Sequence, residues 1–192
     1  MRKIGLTGGI GSGKTTVSKI FKLIGIPVYN SDEVAKKILK KNNLAQQKII
    51  EIFGEEILTK NKIDNTKLAD VIFSNKKKLE TINKIIHPLV KKNFQIWCKE
   101  KKNKYIIKES ALLFTSNAYK DLDQIIFVKS PLELRIKRIK ERDKKSLKEI
   151  LAIIENQPSE KLFKKKCDYI IHNDEQKLLT PQVLQLNTIF IK

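Results

Sequence analysis

Ile4-Gly5-Leu6-Thr7-Gly8-Gly9-Ile10-Gly11-Ser12-Gly13-Lys14-Thr15-Thr16 is the stretch on which the reading of this chain turns. Ile4, Gly5 and Leu6 run into a glycine cluster, and behind it Val17, Ile20, Phe21 and Ile24 recur at i, i+3, i+4 and i+7. That pattern predicts strand, loop, helix. Residues 8 to 15 satisfy G-x-x-x-x-G-K-[ST] in the strand-to-helix setting the motif requires. Gly8, Gly9, Gly11 and Gly13 let successive main-chain N–H groups turn inward on a polyphosphate, and the helix N-terminus adds partial positive charge there. Lys14 is placed to reach the β- and γ-phosphates, and the Thr15 hydroxyl to ligate Mg²⁺. The expected nucleoside triphosphate site is therefore Gly8, Gly9, Gly11, Ser12, Gly13, Lys14, Thr15 and Thr16. The alternative is a glycine-rich turn that merely precedes a helix, and the full motif in its full context argues against it.

Working outward, Ile26 to Tyr29 read as a second short strand that ends at Asn30, Ser31 and Asp32, with Glu33 to Lys41 helical behind it. From Leu44 to Lys102 the apolar spacing is helical almost throughout, and His87-Pro88 is expected to break this block. Tyr105 to Lys108, Ile125 to Val128 and Tyr169 to Ile171 supply three further strands. Pro131 should open a helix carrying Leu134, Ile136 and Ile139. A lysine-rich helical stretch follows to Lys166, and Thr180-Pro181 should start a terminal helix. Alternating strands and helices predict an α/β fold of P-loop NTPase type: an open, mainly parallel five-stranded sheet flanked by helices. A chain of 192 residues with this pattern reads as a single domain.

Composition narrows the class without deciding it. The formal charge is +19, carried by 36 lysines and four arginines, Arg2, Arg135, Arg138 and Arg142. Lysine, isoleucine and asparagine share A/T-rich codons, so coding bias explains the basicity at least as well as nucleic-acid binding. A basic nucleic-acid-binding ATPase stays an alternative, because such a field attracts any polyanion. Against it, aromatic residues are 7% of the chain, with no interleaved basic and aromatic stripe to stack bases. Cys98 and Cys167 lie far apart with no C-x-x-C, which indicates neither a zinc site nor a disulfide framework. There is no apolar run of signal-peptide length near the N-terminus and none long enough to span a bilayer, so the expected location is cytoplasmic.

In open α/β sheets ligands collect beyond the C-terminal ends of the strands, so Asp32 is expected to face the phosphate loop and to take or orient the proton of an attacking hydroxyl. Its other reading is a first-turn carboxylate that stabilises the helix behind it. Asn61-Lys62-Ile63-Asp64 spells the guanine-reading N-K-x-D, but it follows no credible strand and no D-x-x-G accompanies it, so it reads as a turn. A nucleoside-monophosphate kinase would want arginines to clamp a second phosphate, and there are none between Arg2 and Arg135.

Over nearly its whole length the chain resembles the dephospho-CoA kinase family. The resemblance rests on Leu6 to Thr15, on Val28 to Asp32, on Ile86-His87-Pro88-Leu89-Val90 and on Leu112-Leu113-Phe114. It continues through Arg138 and Arg142-Asp143 after Ser130-Pro131, and through Gln157 and Asp168 to Asn173. It implies phosphoryl transfer from ATP, with Mg²⁺, to the 3′-hydroxyl of the ribose in dephospho-CoA. By that likeness Asp32 is the general base beside Lys14, the helical segment from about 33 to 100 forms the acceptor side, and a lid spans about 138 to 166. Arg138 and Arg142, four apart on one helix face, would meet phosphate charge or else form an exposed basic face. For His87 the alternatives are a place in the acceptor pocket and a helix boundary before Pro88. The expected partners are ATP and dephospho-CoA, with neither nucleic acid nor membrane, and the expected assembly is a monomer or weak homo-oligomer. Another small-molecule P-loop kinase is the runner-up.

Departures from the family pattern stand out at five positions. Asn30 replaces the first acid of Asp-x-Asp, so that only Asp32 remains, and Ala111 and Thr115 flank Leu-Leu-Phe where Pro and Glu are usual. Asn65 takes the place of an arginine, and Arg135 stands where glutamine is common. Glu109, ending its strand, is a candidate to share a magnesium- or water-holding role.

Overall fold

The computed structural model describes residues 1–73, 75–144, 146–155, 157 and 165–192. They form two compact units, one of residues 1–30 with 101–192 and the other of residues 31–100.

The first unit is built on a parallel sheet. Its strands are β1 (Arg2–Thr7), β2 (Val28–Asn30), β5 (Tyr105–Glu109), β6 (Gln124–Lys129) and β7 (Tyr169–His172), in the spatial order β2-β5-β1-β6-β7. Every pairing is parallel, as expected from the alternation of strands and helices. The sheet grows to one side of β1 with β5 and β2 and to the other with β6 and β7, which makes the end of β1 a topological switch point. One face packs on α1 (Lys14–Leu23) and the C-terminal helix (Leu179–Phe190), through Ile4, Leu6, Ile107, Ile126, Val17, Phe21, Val183 and Phe190. On the other, Leu113, Phe114, Ile125 and Phe127 form a second cluster under Tyr119 and Leu122. Burial on both faces explains why these strands read as short apolar runs and not as alternating ones. A further helix runs over Leu132–Asp143 behind Pro131, as expected, and another over Leu147–Glu155. Part of the lysine-rich stretch, residues 158–164, lies outside the described residues.

The second unit is helical: α2 (Ser31–Lys41), α3 (Asn43–Phe53), α4 (Asn65–Phe73) and α5 (Lys76–Lys99). Asn42 and Asn75 cap α3 and α5, each accepting main-chain N–H bonds through its side-chain oxygen. Numbered on in chain order, the helices over Leu132–Asp143, Leu147–Glu155 and Leu179–Phe190 are α6, α7 and α8.

Three expectations need correction. Pro88 does not break the block but lies inside the 24-residue α5. An interior proline costs about 3 kcal/mol, yet Ile82, Ile86, Val90 and Phe94 are all buried at four-residue spacing on both sides of it. At about 1.5–3 kcal/mol for each such side chain, burial outweighs the break. The helical block is also interrupted by a hairpin, β3 (Leu58–Thr59) with β4 (Lys62–Ile63). Lys60 and Asn61 turn it with φ of 51° and 59°, as a two-residue type I′ turn requires. Asn61 of the N-K-x-D string therefore sits in a turn, while Asp64 leads into α4, accepting from the N–H of Thr66 and Lys67 and from the Thr59 hydroxyl. Finally, α2 begins at Ser31, so Asp32 is a first-turn residue and not part of a preceding loop.

Candidate active site

The phosphate loop leaves β1 at Thr7 and enters α1 at Lys14. Gly13 is the N-cap with φ of 91°, a left-handed conformation that residues bearing a Cβ rarely adopt. A Cβ there would also overlap the Asn173 side chain, which donates to the Ser12 carbonyl at 2.8 Å. Lys14 folds back over the loop, its Nζ donating to the carbonyls of Gly8 at 2.8 Å and Gly9 at 3.1 Å. Thr15 and Thr16 stand exposed in the first turn of α1. Ser12 is buried, and its hydroxyl has no hydrogen-bond partner among the described residues.

Glu109 is 4% exposed at the C-terminal end of β5, in register with Leu6 of β1 on one side and Asn30 of β2 on the other. Its Oε1 accepts from the Thr15 hydroxyl at 3.1 Å; its Oε2 accepts from the Ser18 hydroxyl at 2.7 Å and Asn30 Nδ2 at 3.2 Å. Asn30, one of the departures from the family pattern, suits its place beside Glu109. An aspartate at position 30 would bring a second carboxyl group against a buried one, whereas the amide of Asn30 donates to it. Sequence reasoning named Glu109 but not Ser18 or Asn30 as its partners; the available signal was the four-residue step from Lys14 to Ser18 along α1.

The two arginines of α6 part company. Arg138 is half-buried and donates to the Ser130 hydroxyl at 3.0 Å, to Glu175 Oε1 at 3.0 Å, and at 3.4–3.5 Å to the carbonyls of Gly11 and Asn173. Arg142 is exposed and makes a two-pronged pair with Asp143, which holds its guanidinium pKa above the usual range. Arg138 thus belongs to the surroundings of the loop through Gly11, and Arg142 to the end of its helix. Cys167, packed against the cluster on the second face of the sheet, has its thiol pushed up to about 12, first by burial and then by Asp168, which disfavours the thiolate near neutrality.

Asp32 and His87 belong to the helical unit. Asp32 is half-buried in the first turn of α2, two residues beyond Asn30, and His87 is half-buried in the middle of α5.

The thiol-poor, acid-poor donor set is informative about metals. No group of three or more His, Cys, Asp or Glu side chains suited to a metal ion occurs among the described residues. A hydroxyl and a carboxyl group 3.1 Å apart, Thr15 and Glu109, suit a hard ion such as Mg²⁺, which is held by few protein oxygens together with substrate phosphates. No described helix is long and apolar enough to cross a membrane.

The chain is similar to known proteins over nearly its whole length. The family model for dephospho-CoA kinase matches residues 2–178. A dephospho-CoA kinase of Fusobacterium nucleatum is 47% identical over 173 residues, covering 89% of each chain, and one of Bacteroides fragilis is 39% identical over 185 residues, covering 96% of this chain and 90% of its own. Among solved structures, dephospho-CoA kinase from Campylobacter jejuni superposes with a TM-score of 0.71 at 31% identity, covering 98% of this chain and 96% of that one. Shikimate kinase from Acinetobacter baumannii, at 15% identity and a TM-score of 0.54, shares the fold. With the phosphate loop at the switch point of a five-stranded parallel sheet and a match running almost from end to end, the chain belongs to the dephospho-CoA kinase family.

Proposed function

We infer that this chain transfers the γ-phosphoryl group of ATP to the ribose 3′-hydroxyl of dephospho-CoA. The observation that carries the reading is the phosphate loop itself, with Lys14 folded over its carbonyls and Thr15 tied to the buried Glu109. Phosphoryl transfer asks the protein for positioning and charge stabilisation more than for covalent chemistry. The amides of residues 8–15 and the N-terminus of α1 hold the donor phosphates, and Lys14 exchanges its loop carbonyls for phosphate oxygens. Thr15 and Glu109 are the residues that would hold Mg²⁺, which when bound neutralises charge on the β- and γ-phosphates. Glu109 fixes the Thr15 hydroxyl in place and is itself fixed by Ser18 and Asn30.

On the acceptor side, Asp32 is assigned as the base that orients the attacking hydroxyl, and unit 31–100 as the body that recognises the acceptor, with His87 among its contacts. Support comes from chain order: Asp32 follows by two residues the strand end whose Asn30 bonds Glu109. Arg138, in reach of Gly11, is the better placed of the two arginines to meet phosphate charge, and the segment from about 138 to 166 is assigned to a lid that excludes water. The reading carries with it a cytoplasmic enzyme acting as a monomer or weak homo-oligomer, without nucleic acid.

An acceptor screen tests it. The purified chain with ATP and Mg²⁺ should consume ATP with dephospho-CoA and yield a product heavier by one phosphate at the ribose. ATP consumption restricted to shikimate, a nucleoside or a nucleoside monophosphate would sink the acceptor assignment, and turnover stimulated by DNA or RNA alone would sink the reading as a small-molecule kinase.

A further inference from the structure

The tip of the phosphate loop is gripped by two residues outside its motif. The N–H of Ile10 donates to Oε1 of Gln157 at 2.9 Å, and the carbonyl of Ile10 accepts from Nε of Arg135 at 2.9 Å. Nη2 of Arg135 reaches the same Gln157 oxygen at 3.4 Å, which closes a ring through both main-chain groups of Ile10. The flanking glycines make this approach possible. A Cβ on Gly9 would overlap the Arg135 guanidinium, and one on Gly11, whose φ is 75°, would stand 2.6 Å from the Arg135 carbonyl oxygen. Ile10 occupies an unspecified position of the motif, and Arg135 and Gln157 lie 125 and 147 residues away from it.

A set of amides binds phosphate well only if it already points at one place, since a loop that must be ordered on binding loses affinity to that ordering. The grip on Ile10 supplies that order at the part of the loop farthest from both β1 and α1. It also sets a guanidinium, charged at any working pH, against the loop. We propose that Arg135, acting with Gln157, is a positioning residue for the donor nucleotide, holding the tip of the phosphate loop in its binding conformation. The role needs the fork of arginine: one donor meets the Ile10 carbonyl while another meets Gln157, and lysine offers the charge without that geometry.

The inference rests on the donor-site reading above, so the experiment separates the two. ATP binding is titrated by calorimetry with the wild-type chain, Arg135→Ala, Arg135→Lys, Gln157→Ala, the Arg135→Ala/Gln157→Ala pair, and Lys137→Ala as an exposed cation on the same helix. Thermal unfolding midpoints are measured for all. Arg135→Ala is expected to weaken ATP binding about tenfold, the scale of a lost charge-assisted hydrogen bond. The ATP KM should rise by the same factor, with kcat changed less than about threefold and the KM of dephospho-CoA unmoved. Arg135→Lys should recover only a small part of the loss, and the double variant should be no weaker than Arg135→Ala alone, as partners in one ring require. Wild-type affinity in Arg135→Ala, full rescue by lysine, an equal loss in Lys137→Ala, or additive losses in the double variant would each overturn the proposal. If Arg135→Ala fails to fold, Arg135→Lys and Gln157→Ala decide by the same criteria. A wild-type chain that binds no ATP would instead overturn the donor-site reading itself.

Discussion

The two units of this chain differ in the sequence span of the side-chain hydrogen bonds described for them. In unit 31–100 the hydrogen bonds by which Asn42 caps α3, Asn75 caps α5 and Asp64 joins the hairpin to α4 span five residues or fewer, while α2, α3 and α4 pack against α5. In the sheet unit the organising contacts are long-range. Glu109 gathers Thr15, Ser18 and Asn30 from 79 to 94 residues away, Asn173 holds Ser12, and Arg138 holds the loop after β7. A site tied together at such separations by a sheet and a buried carboxyl group is held rigidly, and that suits donor phosphates whose geometry must be fixed. A helical body that forms a compact unit of its own can change its surface without disturbing the sheet, which on the proposed reading suits recognition of a particular acceptor. Division of labour between the units is therefore the property to test.

The largest effect should come from Asp32→Asn, which lowers turnover by about 10² to 10⁴, the usual size of a general-base contribution, while calorimetric ATP affinity stays as in the wild type. Near-normal turnover would take the base away from the helical unit. Lys14→Ala acts on the other unit, and here ATP affinity and turnover should fall together, turnover by about 10²; a variant with weak turnover but unchanged ATP binding would blur the division. Next comes Glu109→Gln. Keeping the shape but not the charge beside Thr15, it should raise the Mg²⁺ concentration for half-maximal activity about tenfold and leave the KM of dephospho-CoA alone. An unchanged Mg²⁺ requirement would reduce Glu109 to a structural tie.

The smallest effect is expected within the helical unit, from Asp64→Asn, read as a modest drop in the thermal midpoint with ATP affinity untouched. Asp64 is held below its ordinary value of 3.8, first by the N–H of Thr66 and then by the Thr59 hydroxyl. Because the folded-state value is the lower one, its stabilisation is complete above the unfolded value and fades as pH falls through the folded one. The gap between variant and wild type should therefore close in strong acid; a gap that persists there would show that the carboxylate charge is not what matters.

Much of this architecture is legible in the sequence, and particular residues show why. The five strands and their parallel pairing follow from apolar runs alternating with helical spacing, a signal each segment carries by itself. The phosphate loop was legible at Lys14 and Thr15, because a motif marks both of them. Pro88 misled, since the local cost of proline is visible in sequence while the burial of Ile82, Ile86, Val90 and Phe94 that outweighs it is a tertiary matter. The hairpin at Leu58–Ile63 was missed because its strands are two residues long and its turn residues are Lys60 and Asn61, with no glycine to announce positive φ.

By itself the sequence determined that a strand, a glycine loop and a helix follow one another from Arg2 to Leu23, and so that the chain carries a phosphate-binding loop. Those properties are local, written in glycine conformational freedom and helical periodicity over consecutive residues. Only the tertiary structure decided that Glu109 meets Thr15, Ser18 and Asn30, that Arg138 leaves Arg142 to its neighbour, and that Arg135 and Gln157 close on Ile10. Sheet register and helix packing set those meetings, and both arise from burying apolar surface across the whole unit, which no short window of sequence contains.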